Sequence, residues 1–288
     1  MDHVDRVLQR AEALLVRLDQ TLAVREVPPD WRGIAFRWQV RNGRGSLQAV
    51  AHPHRIRLSD LLAIDAQKSL VERNTRQFVD GYPANNVMLT GSRGTGKSSL
   101  IKALLHRYAK RGLRLIEVGK RELVDLPDIA DQLHGRAERF ILFCDDLSFE
   151  ANEPGYKTLK AALDGSITCS PENVLIFATS NRRHFMPEFL AENLDASHQG
   201  GEVHPGEAVE EKISLSERFG LWVSFYPFSQ EQYLRIVSHW LKRFKVPQHD
   251  INASRAAALQ WTLARGTRSG RAAWQFARDW AGRCLSSR

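Results

Sequence analysis

A glycine-rich loop at residues 91–98 constrains the fold of this chain more than any other feature. Its sequence, GSRGTGKS, has the pattern G-x-x-x-x-G-K-[ST], and it lies between the apolar run NVMLT and a segment whose apolar residues recur at helical spacing. Such a loop folds between a buried strand and a helix, and its backbone N–H groups surround phosphate oxygens. The sequence therefore predicts a strand–loop–helix unit of an α/β protein that binds a nucleoside triphosphate.

The residues of this loop have separate predicted roles. Gly91 and Gly96 allow a tight backbone turn, and the helix that begins near Lys97 directs its N-terminus at the phosphates. Lys97 reaches the β- and γ-phosphates, and the Ser98 hydroxyl is a hard oxygen ligand suited to Mg²⁺. No N-K-x-D segment of the kind that recognises guanine is present, so ATP is the expected nucleotide. The predicted nucleotide-binding residues in and after the loop are Gly91, Ser92, Arg93, Gly94, Thr95, Gly96, Lys97, Ser98 and Ser99.

Five segments have the apolar, β-branched or aromatic character of buried parallel strands. They are NVMLT (86–90), LRLIEV (113–118), FILFC (140–144), NVLIFAT (173–179) and WVSFY (222–226). LRLIEV is the most polar of them and is expected at an edge of the sheet. Helical patterns separate the strands, which predicts an α/β P-loop NTPase domain with a parallel five-stranded sheet. After Pro227 the pattern is helical to the end, which predicts a C-terminal helical lid domain.

Three domains are expected: an N-terminal module at 1–57, the nucleotide-binding domain at 58–227 and the lid at 228–288. Residues 1–25 have helical periodicity. IAFRWQV alternates before the turn sequence Asn42-Gly43-Arg44-Gly45, and SLQAVAH can return as a second strand, which predicts a β-hairpin over 31–52. The irregular stretch 186–212 is interpreted as an insertion.

The predicted hairpin is basic, because residues 31–57 contain six arginines and no acid. One interpretation is a small module whose arginines are solvated or pair with the main domain. The alternative is contact with nucleic acid. The net charge of +8 fits either, because it also promotes solubility.

The composition and the N-terminus indicate in which cellular compartment the protein is expected. No apolar run reaches the length of a membrane span, and the N-terminus MDHVDRVLQR does not resemble a secretory signal. The cysteines Cys144, Cys169 and Cys284 are scattered without metal-ligand spacing, which fits a reducing compartment. A cytoplasmic location is therefore expected.

Acidic residues at the end of FILFCDD supply the second half of the predicted site. An acid at the carboxyl end of a parallel strand, beside the phosphate loop, is where Mg²⁺ is held. Asp145 is the expected Mg²⁺ residue, and Asp146 is expected to orient the attacking water. The simpler alternative is a helix N-cap.

NVLIFATSN also ends in polar residues, and Asn181 is expected near the γ-phosphate if this strand lies beside the Asp145 strand. Thr179 and Ser180 are weaker candidates there, and an Asx turn is the alternative. Arg218, in SERFG, could stabilise the transition state or simply form a surface ion pair. Arg268 and Arg271 open the last helical segment and either approach the phosphates or lie on a solvated face.

Taken in order, these segments resemble an AAA+ ATPase over about residues 58–285. The stretch LLAIDAQKSLVERNTRQFVDGYPANNVMLTGSRGTGKSSLIKALL, with FCDDLSFE, SLSERFG and RSGRAAWQF, is similar to a bacterial family of AAA+ ATP-binding proteins of unknown function. The resemblance implies that the Walker B acids are Asp145 and Asp146 and that sensor 1 is Asn181. It also implies that Ile64 and Asp65 lie in the segment around the adenine.

The resemblance further implies that Arg218 is the arginine finger and Arg271 the sensor 2 arginine, with Arg268 as the alternative. Proteins of this class usually form rings, so Arg218 would act in trans on a neighbouring subunit. One departure concerns Asp146, because the second Walker B acid is usually Glu. The shorter side chain is expected to displace the carboxylate by about 1 Å, which would slow hydrolysis, and Glu150 is an alternative water-orienting acid.

The expected function is therefore ATP hydrolysis that drives conformational work on a protein or nucleic-acid partner. A loader that acts with nucleic acid through the basic hairpin is a variant of this hypothesis. A P-loop kinase for a small molecule and an ATP-binding scaffold without hydrolysis are the alternatives from other classes.

Overall fold

The computed structural model describes residues 5, 7–14, 29–148, 154–164, 171–181, 197–199, 202–204 and 218–286. Residues 7–14 are helical, which is the described part of the helix predicted over 1–25. The predicted insertion at 186–212 lies outside the described residues, except for a short antiparallel ladder between Ser197–Gln199 and Glu202–His204.

A seven-stranded sheet forms the centre of the protein. The strands are β1 (Ala35–Arg41), β2 (Arg44–Ala49), β3 (Val87–Gly91), β4 (Leu113–Glu117), β5 (Arg139–Cys144), β6 (Val174–Ser180) and β9 (Leu221–Phe225), with β7 and β8 forming the short ladder. Their order across the sheet is β2-β1-β4-β5-β6-β3-β9. All neighbours are parallel except β1 and β2. The phosphate-loop strand β3 is therefore separated from β5 by β6.

The five predicted parallel strands are all present, and the hairpin adds two more to the same sheet. Its turn is Asn42-Gly43, where both residues have positive φ values of 52° and 74°, as a two-residue hairpin requires. The expectation that LRLIEV forms an edge was wrong, because β1 pairs with β4 along its outer side. One polar residue of β4, Glu117, accepts a hydrogen bond from Arg37 of β1. The division into three domains stays a prediction.

Helices cover both faces of the sheet. On one face lie α1 (Asp65–Val79) and α2 (Lys97–Tyr108), which pack through buried apolar residues on Leu89 and Phe143. On the other face lie α3 (Leu126–Leu133) and α4 (Pro154–Asp164), which pack on Met88 and Leu142. Alternate residues of each strand thus face different cores, as expected for parallel strands buried on both faces.

Three helices form the C-terminal lid: α5 (Gln230–Arg243), α6 (Gln248–Arg265) and α7 (Gly270–Ser286). The first begins with a capping box, in which Ser229 accepts from the Gln232 N–H and the Gln232 side chain accepts from the Ser229 N–H. Buried lid residues such as Tyr233 and Phe276 belong to the same apolar core as α1 and α2. The lid is therefore packed directly above the phosphate loop. Within the described residues, no helix is both long enough and apolar enough to span a membrane.

Candidate nucleotide site

The phosphate loop is built against the end of β9. Gly91 ends β3 with φ of 117°, and a Cβ atom added to it would overlap the Phe225 carbonyl oxygen. The Ser92 N–H donates to that same oxygen at 3.3 Å. Gly94 and Gly96 also have positive φ values, of 73° and 103°. The loop therefore needs glycine both for its left-handed backbone and for close approach to the neighbouring strand.

Lys97 lies inside this loop and is only 5% exposed. Its ammonium donates to the carbonyl oxygens of Gly91 at 2.6 Å and Ser92 at 2.8 Å, and to Oδ1 of Asn181 at 3.0 Å. Burial lowers the pKa of Lys97, while the carboxylates of Asp146 and Asp145 act in the opposite direction. A triphosphate would add negative charge beside this partly desolvated cation and so favour its charged form.

Asp145 follows β5 and faces the start of α2. Its Oδ1 accepts hydrogen bonds from the Ser98 hydroxyl and from the Thr179 hydroxyl, both at 2.6 Å. The strands β5 and β6 are adjacent, which brings Thr179 to this carboxylate. The two predicted Mg²⁺ residues are thus in direct contact. The carboxylate oxygen and the hydroxyl form a hard-oxygen donor pair that fits Mg²⁺, whose remaining ligands would come from phosphate and water.

Asp146 is held in an unusual backbone conformation next to this pair. Its φ is 54°, which a non-glycine residue adopts only with cost, and its N–H donates to the Thr179 hydroxyl at 2.9 Å. Its carboxylate accepts from the Asn181 amide and lies 3.9 Å from the Arg93 guanidinium. Asn181 therefore bridges Lys97 and Asp146, one with its oxygen and the other with its nitrogen. Glu150, the alternative water-orienting acid, lies outside the described residues.

The lid contacts the phosphate loop through the main chain. The Gly270 N–H donates to the Gly94 carbonyl at 2.8 Å, and a Cβ atom on Gly94 would lie 2.8 Å from the Ser269 Cβ. The Ser269 hydroxyl accepts from the Ala272 N–H and caps α7. Arg271, the residue after Gly270, lines the cavity above the loop. Its predicted alternative, Arg268, does not line that cavity.

A cavity of about 610 Å³ lies between the loop and the lid. One end holds the polar groups described above, and the other is mostly apolar, as nucleotide and cofactor sites commonly are. Ile64, predicted near the adenine, lies there and is 3% exposed. The sequence did not single out the other apolar lining residues, which are Ile56, Leu61, Leu62, Phe228, Ile236, Trp240 and Trp274. Those on the lid helices follow the general apolar periodicity of a helix, which marks burial rather than a site, and those outside the helices have no local pattern.

A buried carboxylate joins the lid to the segment before α1. The Asp60 side chain is 2% exposed and lies 3.2 Å from the Arg243 guanidinium and 3.3 Å from Nε2 of His239, both on α5. It also accepts from the Arg57 N–H at 3.0 Å. Because the segment 56–64 forms one wall of the cavity, this contact fixes the distance between that wall and the lid.

Arg218 is not brought into the cavity of its own chain. Its guanidinium pairs with Asp164 at the end of α4, and the side chain is 26% exposed.

The buried Cys144 precedes Asp145, and burial raises the pKa of its thiol to about 12, which leaves it unreactive. Within the described residues, no group of three or more His, Cys, Asp or Glu side chains could hold a metal ion.

Alanine at Gly91 should destabilise the protein strongly, because it adds both backbone strain and a clash with Phe225. We expect the free energy of unfolding to fall by about 3 kcal/mol. Gly112→Ala is the matched control, since Gly112 has φ of 91° but has no neighbouring atom within 4 Å of an added Cβ. Urea denaturation should show a loss of about 1 kcal/mol for the control. Equal losses for both variants would contradict the clash.

The parallel sheet, the phosphate loop with its two acids and the helical lid define the fold of an AAA+ ATPase. The chain belongs to the family described as "Protein of unknown function (DUF815)", whose model matches residues 32–284. This confirms the resemblance stated from the sequence. No curated protein sequence matches the chain.

Solved structures share the fold at low identity. Orc1 from Aeropyrum pernix, in complex with DNA, has a TM-score of 0.53 and 16% identity, and the match covers 78% of this chain and 61% of that one. A variant of RuvB from Thermotoga maritima has a TM-score of 0.50 and 15% identity, with 77% and 63% covered. The E. coli HORMA:CdnC:Trip13 complex has a TM-score of 0.46 and 12% identity, with 77% and 89% covered. This chain thus spans about three fifths of the Orc1 and RuvB chains.

Proposed function

We propose that this protein hydrolyses ATP between the phosphate loop and the lid and uses the reaction to change the shape of a macromolecular partner. The observation that carries the proposal is the contact chain from Ser98 through Asp145 and Thr179 to Asp146 and Asn181. It brings the Ser98 hydroxyl, two carboxylates and an amide close to Lys97, which supports the proposal. Those are the groups that phosphoryl transfer to water requires.

In the proposed reaction Lys97 would bind the β- and γ-phosphates, and Ser98 with Asp145 would hold Mg²⁺. The metal ion would neutralise the phosphate charge that develops during bond cleavage. Asp146 and Asn181 orient a water molecule, whose oxygen attacks the γ-phosphorus while its proton passes to Asp146. The bond to the β-phosphate oxygen breaks, and ADP and inorganic phosphate leave. Arg271 lies at the lid side of the cavity and would sense the same phosphates.

We further propose that the protein works as a ring in which Arg218 completes the site of a neighbouring subunit. Support comes from its position, because Arg218 pairs with Asp164 and is absent from the lining of the cavity in its own chain.

ATP turnover per subunit, measured with Mg²⁺ over a range of protein concentrations, tests both proposals. The specific rate should rise with concentration and fall by about a hundredfold or more in Arg218→Ala. Arg73→Ala, an exposed arginine on α1, is the control. A flat rate that is indifferent to Arg218 would refute the ring.

A mixing experiment keeps the test informative even if a variant folds poorly. Arg218→Ala subunits retain the phosphate loop, whereas Lys97→Ala subunits retain Arg218. If Arg218 acts across the interface, the mixture regains activity that neither variant has alone. No recovery, together with transfer of labelled γ-phosphate to a small acceptor, would instead favour the kinase hypothesis.

A further inference from the structure

The β1–β2 hairpin extends past the sheet that it joins. Only residues 35–37 of β1 pair with β4, at 115–117, whereas pairing with β2 continues to Arg41. Four residues of β1, 38–41, therefore continue beyond the end of β4, which corresponds to about 13 Å of strand. Because β1 is parallel to its neighbour, this extension leaves the sheet at the carboxyl edge, where the phosphate loop and Asp145 also lie.

The root of this hairpin is fixed, whereas its tip is exposed. Trp38 is 3% exposed, and its indole N–H donates to Asp125 at 2.9 Å. A side chain on Gly45 would overlap the Trp38 ring, so the glycine makes room for that anchor. The tip is therefore held in a defined position before any partner binds, which lowers the entropic cost of binding.

Two arginines face each other across the tip. Arg41 and Arg44 are directly opposite in the hairpin register, and both are exposed. Within the described part of the chain neither forms an ion pair, and Arg41 only donates to the Gln39 side chain at 3.2 Å. Like charges directly opposite on two strands destabilise a hairpin. A polyanion bound at the tip would remove this repulsion.

The surroundings of the tip are polar, and two carboxylates, Glu117 and Glu122, line the groove beside residues 37–41. On the same face of the hairpin lie Gln39, Ser46 and Gln48, which can hydrogen-bond to phosphate or sugar oxygens. Glu117, at the root, is already paired with Arg37 at 2.9 Å. All the basic residues from 31 to 57 other than histidines are arginines, whose guanidinium groups match phosphate oxygens in pairs.

We propose that the tip of this hairpin, residues 39–48, binds the phosphodiester backbone of nucleic acid without sequence preference. A protein partner is a poorer match, because protein interfaces need apolar anchors and Val40 is the one large exposed apolar side chain of the hairpin. Contacts with a phosphate backbone need cations and polar donors, which this tip supplies, and a two-stranded ribbon fits the width of a duplex groove.

Fluorescence anisotropy with a short labelled DNA duplex, in the absence of nucleotide, tests the proposal over a range of salt concentrations. The wild-type protein should bind, and the double variant Arg41→Gln/Arg44→Gln should bind about tenfold more weakly at low salt. Its slope of log affinity against log salt should be smaller by about 2, since two phosphate contacts are lost. Arg41→Lys/Arg44→Lys keeps both charges and should retain most of the slope.

The matched control is Arg73→Gln/Arg76→Gln, which removes the same charge from the exposed side of α1. If both double variants lose affinity equally, binding depends on net charge alone and the proposal fails. It also fails if the wild-type protein does not bind at low salt, or if polyglutamate of equal charge competes as well as DNA. These outcomes leave the proposed ATP hydrolysis untouched, because the assay contains no ATP.

Discussion

Lys97→Ala is expected to weaken ATP binding by about a hundredfold and to abolish measurable turnover. The Lys97 ammonium donates hydrogen bonds to the Gly91 and Ser92 carbonyls and to Asn181. These hydrogen bonds hold the positive charge in a fixed position in the loop. Burial lowers the pKa of Lys97, and phosphate oxygens beside it would favour its charged form. Alanine removes that charge together with its hydrogen bonds to the two carbonyls and to Asn181.

Equilibrium binding of a fluorescent ATP analogue and phosphate release would measure the two effects. Lys110→Ala, an exposed lysine just after α2, is the matched control and should behave like the wild-type protein. Thermal unfolding of both variants separates a lost contact from a lost fold. ATP binding of normal strength in Lys97→Ala would show that the loop is not the phosphate site.

The second large effect is expected for Asp146→Asn, which should bind ATP normally but turn it over at least a hundredfold more slowly. The amide cannot accept the proton of the attacking water, whereas it keeps the shape of the residue. Asn181 can still hydrogen-bond to the substituted side chain. Binding and turnover should therefore separate, as they do not for Lys97→Ala.

Single-turnover phosphate release, with Asp131→Asn on the exposed side of α3 as control, would measure this separation. Normal turnover in Asp146→Asn would move the water-orienting role to Glu150, and Glu150→Gln would then be the slow variant. Slow turnover in both would indicate that the two acids act together.

Much of the fold could be predicted from the sequence because its strands are buried on both faces. The run FILFC, for example, has no polar residue to place on a solvent face, which distinguishes a central parallel strand. The existence of the hairpin also followed from its turn sequence, but the predicted four-residue turn was too long, because Arg44 and Gly45 already pair with Arg41 and Val40. Its position in the sheet did not follow from the sequence, since nothing in IAFRWQV indicates which strand it will pair with. The polar character of LRLIEV suggested an edge, but the Glu117 side chain is instead matched by Arg37.

The polar half of the site was predictable for a different reason. The ends of parallel strands meet at one edge, so motifs distant in sequence, such as Ser98 and Asp145, could be placed together without a model of the whole fold. The apolar half depends on tertiary packing of lid helices on the segment before α1. Residues such as Trp240 and Asp60 carry no local pattern that separates a cavity wall from an ordinary core contact. The roles assigned to Arg218 and Arg271 stay predictions.

The contact between Gly270 and Gly94 has a mechanical consequence. The helix that begins there, α7, has 17 residues and is therefore about 25 Å long. A helix of this length behaves as a stiff rod, so a shift of the phosphate loop by a fraction of an ångström must tilt or translate the whole rod. Its far end carries Trp280 and Arg283 near the outer surface of the lid. A movement of the phosphate loop can thus reach the exterior through one continuous hydrogen-bonded segment, without a relay of side chains.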